Sequence, residues 1–397
     1  MPLILYFYTM TPARKRIKVV FSVTNCICFD QRVLKMAGVL EKMGADITII
    51  GRKRGSCCNK NIVPYKTVRF RMLFNKGFLF YKFFNIRLFF RLLITRCDLL
   101  VANDLDTLLP NFLVSKIKKI PLVYDSHEYF TGLPELKGRN FVKAVWKNIE
   151  SLCFPHLKYV ITVSEPIAEI YNNEYGIKPA VIKNFSPLSF EIKAISKKEL
   201  GIPENYFVVI IQGSGINIDK GGEELIDSVA LKEDVFLIVA GSGDVVPVMK
   251  KKVIELNLGN RVIFTGTLPW KELISYTKAA DAGMVLEKDT NLNYHFSLPN
   301  KFFDYITAGI PVISSNLPLV SDIIIRYNCG IILPEVTPEE INEAVRMLSG
   351  NRILHKQLKN NSVIASRELN WEKESEKVKI FYSELFDNEF GCKNVIN

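Results

Sequence analysis

The feature that most constrains this chain is an alternation of short apolar runs with helical patterns, begun near residue 17 and begun again near residue 207. Runs of this length are those of buried strands, and strands separated by helices are the arrangement of β-α-β units. Such units build parallel sheets covered by helices. In the first series the predicted strands are Ile17–Val23, Asp46–Ile50, Asp98–Ala102, Ile120–Tyr124 and Tyr159–Val163. Helices are predicted over Asp30–Met43, Asp104–Lys118 and Asn140–Phe154. In the second series the strands are Phe207–Gln212, Val235–Ala240, Val262–Phe264, Ala282–Leu286 and Pro311–Ser314. Their helices are Gly222–Ala230, Val246–Leu256, Trp270–Lys278 and Asn300–Ala308.

The stretch Lys183-Asn184-Phe185-Ser186-Pro187 interrupts the pattern, as a linker does. The expected fold is therefore α/β, with two Rossmann-like doubly wound domains over residues 1–186 and 187–370. A helix over 371–390 is expected to cross back onto the first domain. A chain of 397 residues with 48% hydrophobic content has material for two cores of this kind. Open parallel sheets bind ligands outside the carboxyl ends of their strands, so two such edges facing each other would form a cleft.

Lys and Arg exceed Asp and Glu by 11, which favours anionic partners: nucleic acid, phosphorylated ligands or an anionic membrane face. No nucleic-acid-binding signature accompanies the charge, so a nucleic-acid role is set aside. The apolar stretch Met1–Met10 precedes its basic residues Arg14, Lys15, Arg16 and Lys18, the reverse of a secretory leader. No apolar run reaches the length of a membrane span, and a cytoplasmic setting is expected. Eight cysteines occur without a C-x-x-C pair or zinc-finger spacing; Cys26, Cys28, Cys57 and Cys58 are read as thiols in a reduced compartment.

The sharpest local signal is Gln212-Gly213-Ser214-Gly215 followed by Asp219-Lys220-Gly221-Gly222. A strand ends in small residues, and Lys-Gly-Gly then opens a helix. Glycines admit close backbone approach, and a helix N-terminus with a cation suits a diphosphate. The alternative is a plain loop with an exposed Lys220. Gly241-Ser242-Gly243-Asp244 and Thr265-Gly266-Thr267-Leu268-Pro269 end the next two strands, as turns or as backbone partners for a planar base. In Ser297-Leu298-Pro299-Asn300-Lys301-Phe302-Phe303-Asp304, Asn300 and Lys301 open a helix where amides are free, and Asp304 lies one turn on. Amides and a cation suit phosphate oxygens, and a carboxylate suits ribose hydroxyls; a capped amphipathic helix is the bland alternative.

In the first half, Tyr124 leads into Asp125-Ser126-His127-Glu128 at a strand end, where His127 can bond a sugar hydroxyl or form a structural pair with Glu128. Asp30 is expected to cap a helix, with Arg32 as a phosphate or acceptor contact. Asp104-Leu105-Asp106 looks like an acidic metal pair, but after a parallel strand it is read as a helix cap. The run Phe78–Ile94, with Lys82, Arg87 and Arg91, is either a helix dipping into a membrane interface or a core helix with snorkelling cations; the core reading is preferred.

Taken together these residues resemble glycosyltransferase family 4, retaining enzymes of the GT-B fold, along nearly the whole chain. The run Asp304–Val312 (DYITAGIPV) matches the family's E-A-M-A-x-G-x-P-V, and Lys220-Gly221 matches its K-G after the first donor-domain strand. Asn25 with Asp30-Gln31-Arg32, and Tyr124 through Glu128, look like the N-terminal half of bacterial members that build cell-surface polysaccharides. The helix from Trp371 resembles the one that returns to the first domain.

The resemblance implies transfer of a sugar from a nucleotide diphosphate sugar, with retained configuration, to a lipid-linked or polysaccharide-precursor acceptor. It implies a donor site of Gly213, Ser214, Lys220, Gly221, Gly243, Thr267, Leu268, Glu287, Ser297, Asn300, Lys301 and Asp304. Within it, Lys220 meets the diphosphate and Asp304 the ribose. Asn25, Arg32, His127 and Glu128 fall on the acceptor side, with His127 near the donor sugar. The family's pattern of Glu, seven residues, Glu places its second acid on Asp304 and its first on Phe296; Glu287, Ser297 or the Asn300/Lys301 pair are candidate substitutes. His127, Lys220 and Lys301 form the expected catalytic set, with protein cations and helix N-termini neutralising the leaving group without metal or cofactor. A peripheral contact with the inner membrane face would suit the basic charge. Two alternatives are a nucleotide-sugar 2-epimerase of the same architecture and a non-catalytic partner subunit.

Overall fold

The computed structural model describes residues 16–53, 63–133 and 136–391. Met1–Met10, Arg14, Lys15, Cys57 and Cys58 therefore lie outside the described residues. The first half runs β1 (Lys18–Ser22), α1 (Gln31–Lys42), β2 (Asp46–Lys53), β3 (Lys66–Arg71), α2 (Gly77–Ile94), β4 (Leu99–Asn103), α3 (Leu105–Lys118), β5 (Leu122–Ser126), α4 (Asn140–Cys153), β6 (Tyr159–Thr162), α5 (Glu165–Tyr175) and β7 (Ala180–Val181). The second runs β8 (Phe207–Gly213), α6 (Gly222–Ala230), β9 (Val235–Gly241), α7 (Val246–Glu255), β10 (Val262–Phe264), α8 (Trp270–Ala279), β11 (Ala282–Val285), α9 (Leu292–His295), α10 (Asn300–Ala308), β12 (Val312–Ser315), α11 (Pro318–Tyr327), β13 (Gly330–Leu333), α12 (Pro338–Gly350), α13 (Arg352–Ser366) and α14 (Trp371–Phe390).

The strands form two sheets, ordered β3-β2-β1-β4-β5-β6-β7 and β10-β9-β8-β11-β12-β13, and every pairing is parallel. Central strands such as β4 and β5 are buried along their whole length, because helices cover both faces. That is why they read as unbroken apolar runs. The strand β3 (KTVRFR) carries three cations at the sheet's edge and has no such run, so it escapes periodicity. The edge strands β7 and β13, with helices α5, α11, α12 and α13, also went unassigned.

Ile182 belongs to the first domain's core and Phe185 to the second's, so the chain changes domain between them. It returns at Trp371, whose N–H donates to the Ser186 carbonyl at 3.0 Å. Helix α14 then lays Trp371, Val378, Tyr382, Leu385 and Phe386 into the same core as α1 and the first sheet. Cys28 is disulfide-bonded, so the thiol expectation is corrected there; Cys97, Cys153 and Cys329 are free thiols.

Candidate active site

In each sheet the chain order reverses once, between β1 and β4 and between β8 and β11. At such a reversal the loops leave in opposite directions and open a crevice at the carboxyl edge. The expected site residues gather around these two crevices.

At the first crevice, the ends of β1, β4 and β5 bring together Thr24, Asp104, Asp106, Asp125 and His127. The His127 ring lies between two carboxylates, with Nδ1 3.2 Å from Asp104 Oδ2 and Nε2 3.4 Å from Asp125 Oδ2. Its backbone N–H also donates to Asp104 Oδ1 at 2.8 Å. Burial disfavours the imidazolium, but Asp104 and Asp125 outweigh it and raise the His127 pKa to about 9. Next to it burial lifts Asp106 to about 8, assisted by the Asp104 charge, while the Thr24 hydroxyl donates to Asp106 Oδ2 at 2.5 Å. Burial also raises Asp104.

Three expectations are corrected here. Asp104 caps nothing with its side chain: it sits at φ 60°, a costly backbone for a non-glycine residue, and turns its carboxylate to His127. Arg32 is not an acceptor contact. It is buried, its Nε and Nη2 grip Asp125 at 2.6–3.1 Å, and its Nη1 donates to the Ile182 carbonyl at 2.9 Å. Burial opposes ionisation of Asp125, but Arg32 and His127 overcome it and hold its pKa far below the usual carboxylate range. The third correction concerns Glu128, which does not pair with His127; its Oε2 accepts from Asn293 Nδ2 at 3.3 Å, across the cleft. Asp30 does cap α1, accepting from the Val33 N–H at 3.2 Å, and Asn25 is exposed beyond β1.

At the second crevice, β11 delivers Glu287 beside Lys301 from the first turn of α10, with Lys301 Nζ 2.8 Å from Glu287 Oε1. Burial would raise Glu287, yet Lys301 and Lys220 hold its pKa below the ordinary value. The other oxygen, Glu287 Oε2, is buried without a hydrogen-bond partner, an arrangement that native proteins rarely tolerate without a ligand or water. Lys220 Nζ lies 5.5 Å from the centre of the Tyr294 ring. Gly221 admits no side chain, because its φ is +67° and a Cβ there would stand 2.4 Å from Leu286 Cβ. Gly243 is likewise obligatory for packing: a Cβ would meet the Ile216 backbone at 2.2 Å. Around them Ser242 N–H donates to the Gly213 carbonyl at 3.1 Å, and Thr267 Oγ1 donates to Ser242 Oγ at 3.3 Å. The loops bearing Gly213, Ser214, Gly243 and Thr267 are thus mutual neighbours, with Ser214 exposed and Leu268 half-buried.

Asp304 is anchored where the linker, the first strand of the second sheet and two helices meet. It is buried and accepts from Ser186 Oγ (2.6 Å), Trp270 Nε1 (3.0 Å) and Gln212 Nε2 (2.9 Å). These donors engage both of its oxygens, and they tie the linker, β8 and α8 to α10.

Sequence reasoning singled out Glu287, Phe296 and Ser297 but missed Asn293 and the bridging role of the segment between β11 and α10. Its Asn293 Oδ1 accepts from the Tyr129 N–H at 3.2 Å, Ser164 Oγ donates to the Phe296 carbonyl at 3.4 Å, and Phe296 packs against the first domain's core. Asn300 Oδ1 accepts from Asn184 Nδ2 at 2.8 Å, and Ser297 Oγ donates to the Tyr294 carbonyl at 2.9 Å. One segment therefore touches the His127–Tyr129 loop on one side and Lys220 on the other. Its partners in the first domain lie more than a hundred residues away, so no local pattern could reveal it. Among the described residues no group of three or more His, Cys, Asp or Glu side chains is placed to hold a metal.

Comparison with known proteins bears on the same two halves. The family model described as "Glycosyltransferase Family 4" matches residues 30–189, and that described as "Glycosyl transferases group 1" matches residues 192–363. An uncharacterized glycosyltransferase of Methanocaldococcus jannaschii is 25% identical over 325 residues, covering 76% of this chain and 80% of its own. A chitobiosyldiphosphodolichol beta-mannosyltransferase of Debaryomyces hansenii is 20% identical over 309 residues, covering 69% of this chain and 62% of its own. Among solved structures, sucrose-phosphate synthase from Thermosynechococcus elongatus superposes with a TM-score of 0.76 at 16% identity, over 94% of this chain and 100% of that one. Anabaena HepE in complex with UDP-glucose superposes with a TM-score of 0.72 at 17% identity, over 93% and 100%. At such identities the structural likeness establishes the fold, the GT-B arrangement of two facing α/β domains.

Proposed function

The chain belongs to glycosyltransferase family 4, and we propose that it moves a sugar, with retained configuration, from a nucleotide diphosphate sugar to a hydroxyl of a lipid-linked or polysaccharide-precursor acceptor. The observation that carries this reading is the second crevice, where a carboxylate paired with Lys301 also feels the charge of Lys220 and keeps its outer oxygen buried without a hydrogen-bond partner. Two cations against one anion favour a departing diphosphate, and the open Glu287 oxygen suits a donor-sugar hydroxyl. Glu287 would then do what the acid missing at Phe296 does elsewhere in the family.

Across the cleft, His127 would present a charged imidazole to the sugar, and Asn25 and Glu128 would border the acceptor. An imidazolium cannot take a proton from the acceptor, so His127 would orient and stabilise; the leaving diphosphate would receive that proton as the acceptor attacks from its side. Lysines and the α10 amides neutralise the leaving group in this scheme, so chelation should leave turnover intact. The complex of HepE with UDP-glucose and the lipid-linked substrate named for the mannosyltransferase guide the first trials. The reading includes a cytoplasmic protein in peripheral contact with an anionic membrane face.

Thermal unfolding with UDP-, GDP- and ADP-sugars and the free nucleotides, alongside a Lys220→Ala control, tests the donor site. A selective upward shift that the variant loses supports it; no shift with any donor would overturn it. Phe296, packed on the first domain in place of an acid, favours a second reading, a partner subunit without chemistry, which that null result would support. Epimerised donor appearing without acceptor would point to the 2-epimerase alternative.

A further inference from the structure

Helix α2 is apolar on two opposite sides. Phe80, Phe84, Leu88 and Leu92 recur every four residues and are buried in the first domain. Leu79, Phe83, Ile86, Phe90 and Ile94 form a second stripe at spacings of four, three, four and four, and they are 43–74% exposed. At about 100° per residue this second stripe points away from the first. A helix covering a domain core ordinarily turns polar residues outward there. The loop before the helix prolongs the stripe: Leu73 is 94% exposed, and Phe74 stacks on Phe83 with ring centres 5.6 Å apart.

Charge decides what such a surface meets. From Tyr65 to Cys97 the chain carries eight Lys or Arg and no Asp or Glu. Lys82 lies to one side of the stripe and Arg87 to the other by helical spacing. A second copy docking stripe to stripe would bring like charges together. An anionic lipid surface instead takes the aromatic stripe into its acyl boundary and its headgroups against the flanking cations. The start of α2 follows β3 and so lies at the carboxyl edge of the first sheet, the edge that faces the cleft.

We propose that the outer stripe of α2, with Leu73 and Phe74, is the surface by which this protein lies on an anionic bilayer, presenting the first crevice to acceptors held in that bilayer. This gives the membrane part of the proposed function a definite location. It is tested without donor or acceptor, so its failure leaves the transfer reading standing.

The test is co-flotation of the full chain with vesicles of phosphatidylcholine alone and with about 30 mol % phosphatidylglycerol. Binding is expected only to the anionic vesicles, and weaker in about 0.5 M salt. Leu79→Ser/Phe83→Ser/Phe90→Ser should weaken it by roughly tenfold or more while leaving the unfolding temperature unchanged, since these side chains are exposed. Lys76→Glu/Lys82→Glu, the first at the residue immediately before α2 and the second beside the stripe, should weaken it comparably and serves if the apolar variant is unstable. No flotation, equal binding to neutral vesicles, or binding indifferent to both variants would overturn the proposal. So would a wild-type dimer in solution that the apolar variant dissociates and that ignores vesicles.

Discussion

Glu287 keeps one carboxylate oxygen on Lys301 and leaves the other buried without a donor. If that oxygen receives a sugar hydroxyl, Glu287→Gln should lower kcat/KM by about 10- to 100-fold, the worth of a hydrogen bond to a charged group. Binding of free nucleotide, measured by calorimetry, should change far less; equal loss of both would place Glu287 outside the sugar site. Asp106 supplies a prediction about pH. Its folded pKa, about 8, lies above the unfolded value, so the folded state holds its proton longer. The resulting cost is absent in acid and grows as pH rises toward 8. Asp106→Asn should therefore gain thermal stability over the parent progressively between pH 5 and 8; a constant offset across that range would refute it. His127 works in the opposite sense: its stabilisation is complete below its unfolded pKa and fades as pH rises through about 9. The types and neighbourhoods of His127, Lys220 and Lys301 were legible because strand ends and helix starts are local features. The role of Asp104 was not, since a cap is judged from the next few residues while its real partner, His127, lies just beyond the end of another strand.

Among the elements, buried central strands announced themselves as apolar runs, and edge strands did not. The β3 edge needs only one covered side, so its sequence is free to carry cations. Helix α14 reads in isolation as a moderately amphipathic segment, and only the sheet it covers explains Tyr382 and Phe386, both buried in the first domain's core. Phe386→Ala should destabilise that domain by about 3–5 kcal/mol through the lost contacts and the cavity left behind. Urea unfolding followed by Trp146, which lies in the same domain, should register the loss. A shift below about 1 kcal/mol would mean that the helix is peripheral to the core. Helix α2 was ambiguous in the sequence for a physical reason: it is apolar toward the core and apolar away from it, so neither reading of its aromatics excludes the other.

At the scale of the whole molecule, two repeated β-α series were enough to foresee two sheets with facing carboxyl edges. What joins them is carried by side chains remote in sequence: Asn293 on Tyr129 and Glu128, and Phe296 against the first core. Phe296→Glu would press a carboxylate into that apolar contact and should shift the population toward a more open cleft. Small-angle scattering should report a larger radius of gyration for the variant; an unchanged profile would show that Phe296 does not hold the domains together. The return of α14 has a consequence in time as well as in space. The first sheet leaves the ribosome by Val181, yet the side chains that seal one of its faces begin only at Trp371. At about 5–20 residues per second, roughly 190 further residues take some 10 to 40 seconds. Throughout that interval a nascent first domain displays a sticky, half-covered flank, so synthesis of this protein should lean on holding chaperones until its final helix emerges.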